Sequence, residues 1–228
     1  VVYSSTSTGS NYLGLLGSML SLARHLSAPE RCSIHLLALE DELEDAGSLV
    51  ECFRRELAAE QRTAPTVHLR ELRQEPQHTR MKRLPAMSLG VNSPHSLARL
   101  RLHEYLPPDA ARAVWLDHDT LVTSDIEPLF RVRMARPLAA AYEPRWARWS
   151  SYLRFLPQLP ESLRRDIADP AGPVFNIGVL VYDLARWRAE NISERCEAWY
   201  GRVGEAVKTS PFLQLALNFA FQRGVDVL

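Results

Sequence analysis

Two acidic residues on either side of a histidine follow a short apolar run, and this arrangement of carboxylates could bind a metal ion. The run from Ala113 to Leu116 is typical of a buried strand, and Asp117, His118 and Asp119 come directly after it. Because side chains alternate along a strand, we expect Asp117 and Asp119 to point to one side and His118 to the other. Two carboxylates that project together suit Mg²⁺ or Mn²⁺ holding a phosphorylated ligand. The alternative is a solvated turn, with Asp present for turn chemistry.

The elements that would position this site begin at the start of the chain. Val1 to Ser4 is predicted to be a strand, Tyr12 to Leu26 an amphipathic helix, and Cys32 to Leu39 the next strand. A strand, a crossover helix and a strand form a right-handed parallel unit, and open α/β sheets bind ligands at the carboxyl ends of such strands. The polar run from Ser5 to Asn11 falls at that edge, but it lacks the Gly-x-Gly-x-x-Gly spacing of a dinucleotide fingerprint.

The remaining chain continues this alternation of strands and helices. The pattern predicts helices at 42–60, 93–106, 127–130, 185–207 and 212–221, strands at 66–69, 137–142, 174–184 and 224–228, and irregular chain at 71–90 and 143–173. Ser93 and Pro94 are a good helix start, with Ser at the N-cap and Pro at the first position. That helix leads into the central strand, so we expect Arg99 within reach of the Asp pair. The alternative for Arg99 is one of many solvated arginines.

Polar residues on the later elements are further candidates. Asn176 lies in the strongest predicted strand and would need hydrogen-bond partners if buried, while Gly178 would allow a ligand or another backbone to approach closely. Gln214 and Asn218 are one turn apart on an apolar helix and share a face, although a satisfied polar pair in a core helix has the same pattern. The aromatic–arginine run within 143–173 suits stacking on sugars, or packing of its own aromatics onto the domain.

Composition excludes several classes of function. The chain has 228 residues, enough for one large domain, and Lys plus Arg equals Asp plus Glu at 27 each. Zero net charge argues against nucleic acid or an anionic membrane as the main partner. No apolar run approaches the ~20 residues of a membrane span. The three cysteines form neither a disulfide framework nor a zinc pattern. The first residue is Val1 rather than Met, and the last residues have the pattern of a strand that is beginning. We therefore expect the chain to be truncated at both ends.

Taken together, these motifs closely resemble glycosyltransferase family 8, the group of glycogenin, bacterial lipopolysaccharide galactosyltransferases and plant galacturonosyltransferases. The resemblance rests on Ser96 to Leu100, Leu116 to Val122 and Phe175 to Leu184, and it covers almost the whole chain in the right order. The stretch from Trp187 to Ser193 looks most like the eukaryotic secretory-pathway branch. The resemblance implies a single α/β domain over residues 1–228 with a GT-A fold, in which helices flank a mixed central sheet. The excursion 143–173 would lie on the acceptor side.

The resemblance also implies a function. Members transfer a hexosyl or related unit from a UDP-sugar to a glycan or glycoprotein acceptor, with retention at the anomeric carbon and with Mn²⁺ (or Mg²⁺) on the diphosphate. It implies a Golgi or other secretory-pathway lumen. Carried over by position, Asp117 and Asp119 would ligate the metal. The remaining donor-binding positions would be Arg99, His118, Asn176 and Gly178, with Gln214 and Asn176 close to the reacting carbon.

The chain departs from the family pattern at three places. Leu213 replaces the Asp of the Asp-Gln pair of bacterial members, as it does in the Pro-Pro-Leu-Leu-type eukaryotic members. Ser5 to Ser7 lacks the Asp that contacts uracil in bacterial members. The late His-x-x-Gly-x-x-Lys-Pro-Trp segment, whose His completes the metal site, does not occur up to Leu228. We therefore expect weak metal binding and little activity from residues 1–228 alone.

Two other hypotheses of function compete with a family 8 glycosyltransferase. A haloacid-dehalogenase-type phosphatase also has Asp-x-Asp-x-Thr after an apolar strand, with the first Asp as nucleophile. That class places the motif on its first strand, whereas here it begins at Asp117, and the later Lys208, Asp166 and Asp169 come in the wrong order. The second reading is a relative that binds a nucleotide or glycan and transfers nothing. Leu213 and the altered opening run motivate it.

Overall fold

Seven strands form one mixed sheet in the computed structural model, which describes residues 1–4, 9–73, 94–143, 147–155, 159–206 and 212–228. The strands are β1 Val2–Ser4, β2 Ser33–Ala38, β3 Thr66–Glu71, β4 Arg112–Leu116, β5 Leu138–Tyr142, β6 Phe175–Asp183 and β7 Asp226–Val227. Predictions for residues 5–8, 74–93, 144–146, 156–158 and 207–211 lie outside the described residues.

The strand order places the carboxyl end of the central strand among several others. The order is β3-β2-β1-β4-β6-β5-β7, and only β6 runs antiparallel to its neighbours within this sheet. The carboxyl ends of β1, β4 and β5 and the amino end of β6 therefore share one edge, which we call the carboxyl edge. Ligands bind at this edge in open α/β sheets. The predicted mixed sheet is confirmed.

Helices cover both faces of the sheet. The α-helices are α1 Gly9–His25, α2 Leu43–Ala59, α3 Pro94–Leu97, α4 Glu127–Arg131, α5 Trp149–Tyr152, α6 Glu161–Arg165, α7 Leu184–Ala189, α8 Ile192–Ala206 and α9 Phe212–Ala220, and short 3₁₀ helices lie at Pro29–Arg31, Glu40–Glu42, Ala98–Glu104 and Leu153–Phe155. Within the described ranges, no helix is both long and apolar enough to span a bilayer.

The alternation of β4 divides the core into two layers. Val114 and Leu116 belong to the apolar layer beneath α1 and α2. Ala113 and Trp115 belong to the other layer, which includes buried residues of α7, α8 and α9. A strand buried on both faces has to be apolar at every position, which is why this segment is a continuous apolar run.

Two predicted helices are interrupted. The helix predicted for 93–106 is α3 followed by a 3₁₀ helix, and Arg101 has non-helical angles (φ −120°, ψ 28°). The carbonyl oxygens of Arg99 and Leu100 accept hydrogen bonds from the hydroxyls of Tyr182 (3.2 Å) and Ser193 (2.6 Å). Because these partners come from β6 and α8, tertiary contacts replace the regular helical bonds here.

The helix predicted for 185–207 is two helices, α7 and α8. Asn191 separates them with a left-handed φ of 48°, a conformation that Asn adopts more readily than most residues. The change of direction buries Ile192 and Ser193. The periodicity of the apolar positions alone did not reveal this turn.

Candidate active site

The Asp-His-Asp stretch forms a turn rather than the end of a strand. Strand β4 ends at Leu116, and the amide of Thr120 donates to the carbonyl oxygen of Asp117 at 3.0 Å. The strand ends at Leu116 as predicted, and the projection of Asp117 and Asp119 to one side stays a prediction. Asp117 is half-buried, whereas Asp119 is exposed.

One oxygen of Asp117 is held by two donors. The Arg99 guanidinium donates to Asp117 Oδ1, and Trp115 Nε1 donates to the same oxygen at 2.8 Å. The Arg99 guanidinium carbon also lies 4.5 Å from the centroid of the Trp115 ring, which is a cation–π contact. Arg99 is only 8% exposed. The prediction that Arg99 lies within reach of the Asp pair is confirmed, and Arg99 is a buried cation rather than a solvated one.

Gly178 brings β6 into contact with Asp117. The amide of Asp117 donates to the carbonyl oxygen of Gly178 at 2.8 Å. A Cβ atom at Gly178 would lie 3.0 Å from Asn176 Oδ1 and 3.3 Å from Asp117 Oδ2. The absence of a side chain therefore allows Asp117 and Asn176 to approach, as the sequence predicted for a close contact at this position.

Asn176 and Gln214 both bond the carboxylate of Glu143, which is not among the residues predicted from the sequence. Asn176 Nδ2 donates to Glu143 Oε2 at 3.0 Å, and Gln214 Nε2 donates to the same oxygen at 3.4 Å. Asn176 Oδ1 accepts from the amide of Gly178 at 2.7 Å. Glu143 is buried, with 6% exposure. Glu143 directly follows β5, and β5 ends at the same edge of the sheet as β4. This position is the sequence feature that could have indicated Glu143 as a site residue.

Helix α9 is fixed to the sheet by Asn218. Its side chain bonds both the amide and the carbonyl oxygen of Phe175, at 2.9 and 3.0 Å, and also the carbonyl oxygen of Gln214 at 2.8 Å. Asn218 is thus a satisfied polar residue of a core helix, and one of its bonds goes to the backbone of Gln214. Leu213 is 2% exposed, so the position that corresponds by resemblance to the Asp of bacterial members is apolar and buried here.

The aromatic residues of the excursion pack onto the domain. Trp149 and Tyr152 are buried, and the Trp149 ring lies 4.9 Å from the Phe219 ring. The packing alternative therefore holds for these two residues. Burial raises the pKa of the Tyr152 phenol, the charge of Glu143 raises it further, and a hydrogen bond with Gln214 opposes both effects. Tyr152 thus adds a neutral phenol to the Glu143 cluster.

The structure places His118 against α1. A Cβ atom at Gly14 would lie 3.2 Å from the His118 carbonyl oxygen and 3.6 Å from its Cδ2 atom. Contact of His118 with a donor remains a prediction.

The donors at this edge fit a cation that is shared with a ligand rather than enclosed by protein. Among the described residues, no group of three or more His, Cys, Asp or Glu could hold a metal ion. Asp117 and Asp119 are hard oxygen donors, and Oδ1 of Asp117 is already occupied by Arg99 and Trp115. Mg²⁺ and similar ions commonly take one or two carboxylates together with water and substrate phosphates, and carboxylates are the type of donor that Asp117 and Asp119 offer.

A separate cavity of about 430 Å³ lies away from these residues. It is lined by Val1, Arg31 and Glu127 among others, at the opposite edge of the sheet. None of the polar residues described above lines it. We therefore locate the candidate active site from the polar residues at the carboxyl edge and not from this cavity.

Solved structures with the GT-A fold are similar to this chain over nearly its whole length. The galactosyltransferase LgtC, solved with donor and acceptor sugar analogues, matches with a TM-score of 0.65 and 21% identity over 99% of this chain and 72% of that one. Mouse xyloside xylosyltransferase 1 matches with a TM-score of 0.63 and 16% identity over 96% of this chain and 79% of that one. At these identities the similarity establishes the fold.

The chain belongs to glycosyl transferase family 8, whose sequence profile matches residues 10–228. The Arabidopsis thaliana protein named "Probable galacturonosyltransferase-like 4" is 27% identical over 190 residues, or 83% of this chain and 51% of that protein. Glycosyltransferase 8 domain-containing protein 1 of Danio rerio is 29% identical over 129 residues, or 51% of this chain and 35% of that protein. The chain spans about half the length of the Arabidopsis relatives that it matches. The predicted family is confirmed. This family match does not support the alternative of a haloacid-dehalogenase-type phosphatase.

Proposed function

We propose that this protein transfers a hexosyl or related unit from a UDP-sugar to a glycan or glycoprotein acceptor, with retention at the anomeric carbon. One observation carries the proposal. A continuous set of hydrogen bonds links Asp117 to Gly178, Gly178 to Asn176, Asn176 to Glu143, and Glu143 to Gln214. These bonds connect the residues that we assign to the phosphate end of the donor with those that we assign to its sugar end, along the carboxyl edge.

The phosphate end comprises Asp117, Asp119 and Arg99. Asp117 and Asp119 would hold Mn²⁺ or Mg²⁺, which would neutralise the charge that develops on the leaving diphosphate. The Arg99 guanidinium adds a fixed positive charge, and Trp115 and Asp117 keep it in place. Arg99 Nε is buried and has no partner among the described residues. An unsatisfied buried donor costs about 1–3 kcal/mol, so its presence favours a place where an anionic ligand binds.

The sugar end comprises Glu143, Asn176 and Gln214. Transfer at an anomeric carbon passes through a transition state with positive charge on the sugar ring. We place the Glu143 carboxylate beside that ring, where its negative charge stabilises the transition state. Its oxygens also accept hydrogen bonds from the sugar hydroxyls. Asn176 and Gln214 hold Glu143 with their amide groups, and this leaves the Gln214 carbonyl oxygen to approach the reacting carbon.

The relatives support the coarser part of this proposal. They are named as galacturonosyltransferase-like, galactosyltransferase and xylosyltransferase proteins, and their shared reaction is transfer of a sugar. The UDP donor, the cation and a Golgi or other secretory-pathway lumen are our proposals from the motif resemblance. Residues 143–173 would shape the acceptor side.

A relative that binds a nucleotide sugar without transferring it is the second candidate. Buried Leu213 favours it, because residue 213 supplies no carboxylate of its own to the site. Calorimetry with UDP and Mn²⁺ and measurement of UDP release from UDP-sugars, both on the longest natural polypeptide that contains these residues, distinguish the two. Binding together with transfer or donor hydrolysis supports the enzyme. Binding without either supports the second candidate, and loss of both contradicts the proposed site.

A further inference from the structure

A buried polar chain lies at the carboxyl end of β1, outside the residues assigned to the donor. Ser4 Oγ lies 2.8 Å from His95 Nδ1, and His95 Nε2 lies 3.0 Å from Glu42 Oε1. The other oxygen of Glu42 accepts from the amide of Leu39 at 3.0 Å. Ser4, His95 and Glu42 are 7%, 4% and 5% exposed. A fully bonded buried network of this kind can define a unique local geometry.

The partners of His95 define its hydrogen positions. A carboxylate accepts only, so Glu42 requires the hydrogen of the neutral ring on Nε2, and Nδ1 then accepts from the Ser4 hydroxyl. Burial lowers the pKa of His95, while the charge of Glu42 partly opposes this shift. The ring is therefore neutral at neutral pH and makes one directed bond at each nitrogen.

His95 lies one helical turn before Arg99. The helix α3 at Pro94–Leu97 has only four residues, and the following 3₁₀ helix is interrupted at Arg101. Helices this short do not persist alone in water, so tertiary bonds determine their position. His95 supplies such bonds at the start of the segment, and Arg99 supplies them at the other end.

The Arg99 end of this segment is the donor-site end. Tyr182 donates to the Arg99 carbonyl oxygen at 3.2 Å, and the guanidinium contacts Trp115 and Asp117. A shift of the segment start would therefore pass directly to the bond between Arg99 and Asp117. Glu42 and Ser4 belong to other segments, 53 and 91 residues away from His95 in sequence, so they hold this start against the sheet.

We propose that His95 is a positioning residue, which fixes the segment carrying Arg99 so that the guanidinium is placed against Asp117. The proposal rests on the proposed function only for its kinetic consequence. Its geometric consequence is independent of activity, because the Trp115 indole N–H donates to the same Asp117 oxygen and reports on it.

The geometric test is an NMR spectrum of the indole N–H groups. The chain has five tryptophans, so the Trp115 signal can be assigned with one Trp115→Phe variant. We expect His95→Asn to move the Trp115 signal more than any other indole signal. The matched control is His35→Asn, because His35 is also a buried histidine (7% exposed), but it lies on β2 and its ring stacks on that of His68 at 4.9 Å. An unmoved Trp115 signal in folded His95→Asn overturns the proposal.

The kinetic test separates positioning from stability. We expect His95→Asn to lower kcat/KM for the donor by about 10- to 100-fold, since small misplacements of a binding group have effects of that size. The same substitution should have little further effect in an Arg99→Ala background, because His95 acts through Arg99. An equal fold-change in both backgrounds overturns the proposal.

A milder variant covers the case in which His95→Asn does not fold. Ser4→Ala removes one hydroxyl and leaves the Glu42 bond in place, and we expect the same change of the Trp115 signal, smaller in size. If Ser4→Ala folds and leaves both the signal and the donor KM unchanged, the proposal fails. If the wild type turns over no UDP-sugar, the proposed function fails, and the NMR comparison still decides the role of His95.

Discussion

The amide of Asp117 donates to the carbonyl oxygen of Gly178 at 2.8 Å, and this bond joins the two motifs of the chain. The register of β4 and β6 pairs Leu116 with Val179, so Asp117, the first residue after β4, lies opposite Gly178. A shift of one residue would turn every side chain of β6 to the other face. The contact between the motifs therefore follows from the pairing of two buried strands.

Substitution of Gly178 tests this contact. In Gly178→Ala, the new Cβ would lie 3.0 Å from Asn176 Oδ1 and 3.3 Å from Asp117 Oδ2, so one of these groups has to move. We expect a loss of stability of about 1–3 kcal/mol in urea unfolding and a loss of donor turnover. Gly17→Ala is the control, because nothing lies within 4 Å of its Cβ position in helix α1. It should gain about 0.5–1 kcal/mol. Equal behaviour of the two variants contradicts the prediction.

Substitution of Asp117 should destabilise the protein more than substitution of Asp119, although both residues are proposed to hold the cation. Asp117→Ala leaves the Arg99 cation, whose side chain is 10% exposed, without its carboxylate. Breaking such a buried pair costs about 3 kcal/mol. Asp119 is exposed, so Asp119→Ala should change the free energy of unfolding by less than about 0.5 kcal/mol. Chemical denaturation measures both values, and a stability loss in Asp119→Ala as large as that in Asp117→Ala would be inconsistent with the structure.

Glu143 should matter for transfer more than for nucleotide binding. Glu143→Gln keeps the size of the side chain but removes its negative charge and places an amide against those of Asn176 and Gln214. We expect kcat to fall by about 10²–10³, the size of a preorganised electrostatic contribution. Affinity for UDP with Mn²⁺, measured by calorimetry, should change little. The control is Glu161→Gln on helix α6, where the side chain is 67% exposed. An unchanged kcat in Glu143→Gln would remove Glu143 from the site.

Stability should fall in mild acid because buried histidines resist protonation. Burial lowers the pKa of His35 to about 4, with smaller contributions from the amino terminus, His68 and Arg70. In the unfolded chain His has a pKa of about 6.5, so the unfolded state binds more protons between these values. Stability from His35 is therefore full above about pH 6.5, and about 3 kcal/mol is lost as the pH falls to about 4.

Urea unfolding at pH 7.5 and pH 5 checks this expectation. The pKa values of His95 and His103 are also lowered by burial, and they act in the same direction. His35→Asn should reduce the difference in stability between the two pH values. A difference that is the same in the wild type and in the variant would show that His35 is not the source.

Local pattern predicted the parts of the site that adjoin strands. The apolar run ending at Leu116 and the need for space at Gly178 were visible because each depends on neighbouring residues. The helix before β4 also led correctly to the contact of Arg99 with Asp117. These features follow from periodicity and from the rule that ligands bind at the carboxyl ends of strands.

Features that depend on distant partners could not be predicted. Glu143 begins a proline-rich stretch and becomes part of the site only through Asn176 and Gln214, 33 and 71 residues away. His95 meets Glu42 across 53 residues, and no local pattern pairs them. The break at Arg101 likewise follows from hydroxyls on β6 and α8, because tertiary bonds outweigh helical propensity in a short segment.

In our proposal, Asp117 and Asp119 form a cation-dependent site for a UDP-sugar. The most direct test of this proposal measures Mn²⁺-dependent transfer or donor hydrolysis by the longest natural polypeptide that contains these residues. The donors are UDP-glucose, UDP-galactose, UDP-xylose and UDP-galacturonate, and wild type is compared with Asp119→Ala. We predict turnover of at least one donor by the wild type and its loss in Asp119→Ala, which should remain folded. Full Mn²⁺-dependent activity in Asp119→Ala would contradict the claim, as would failure of the wild type to turn over any of these donors.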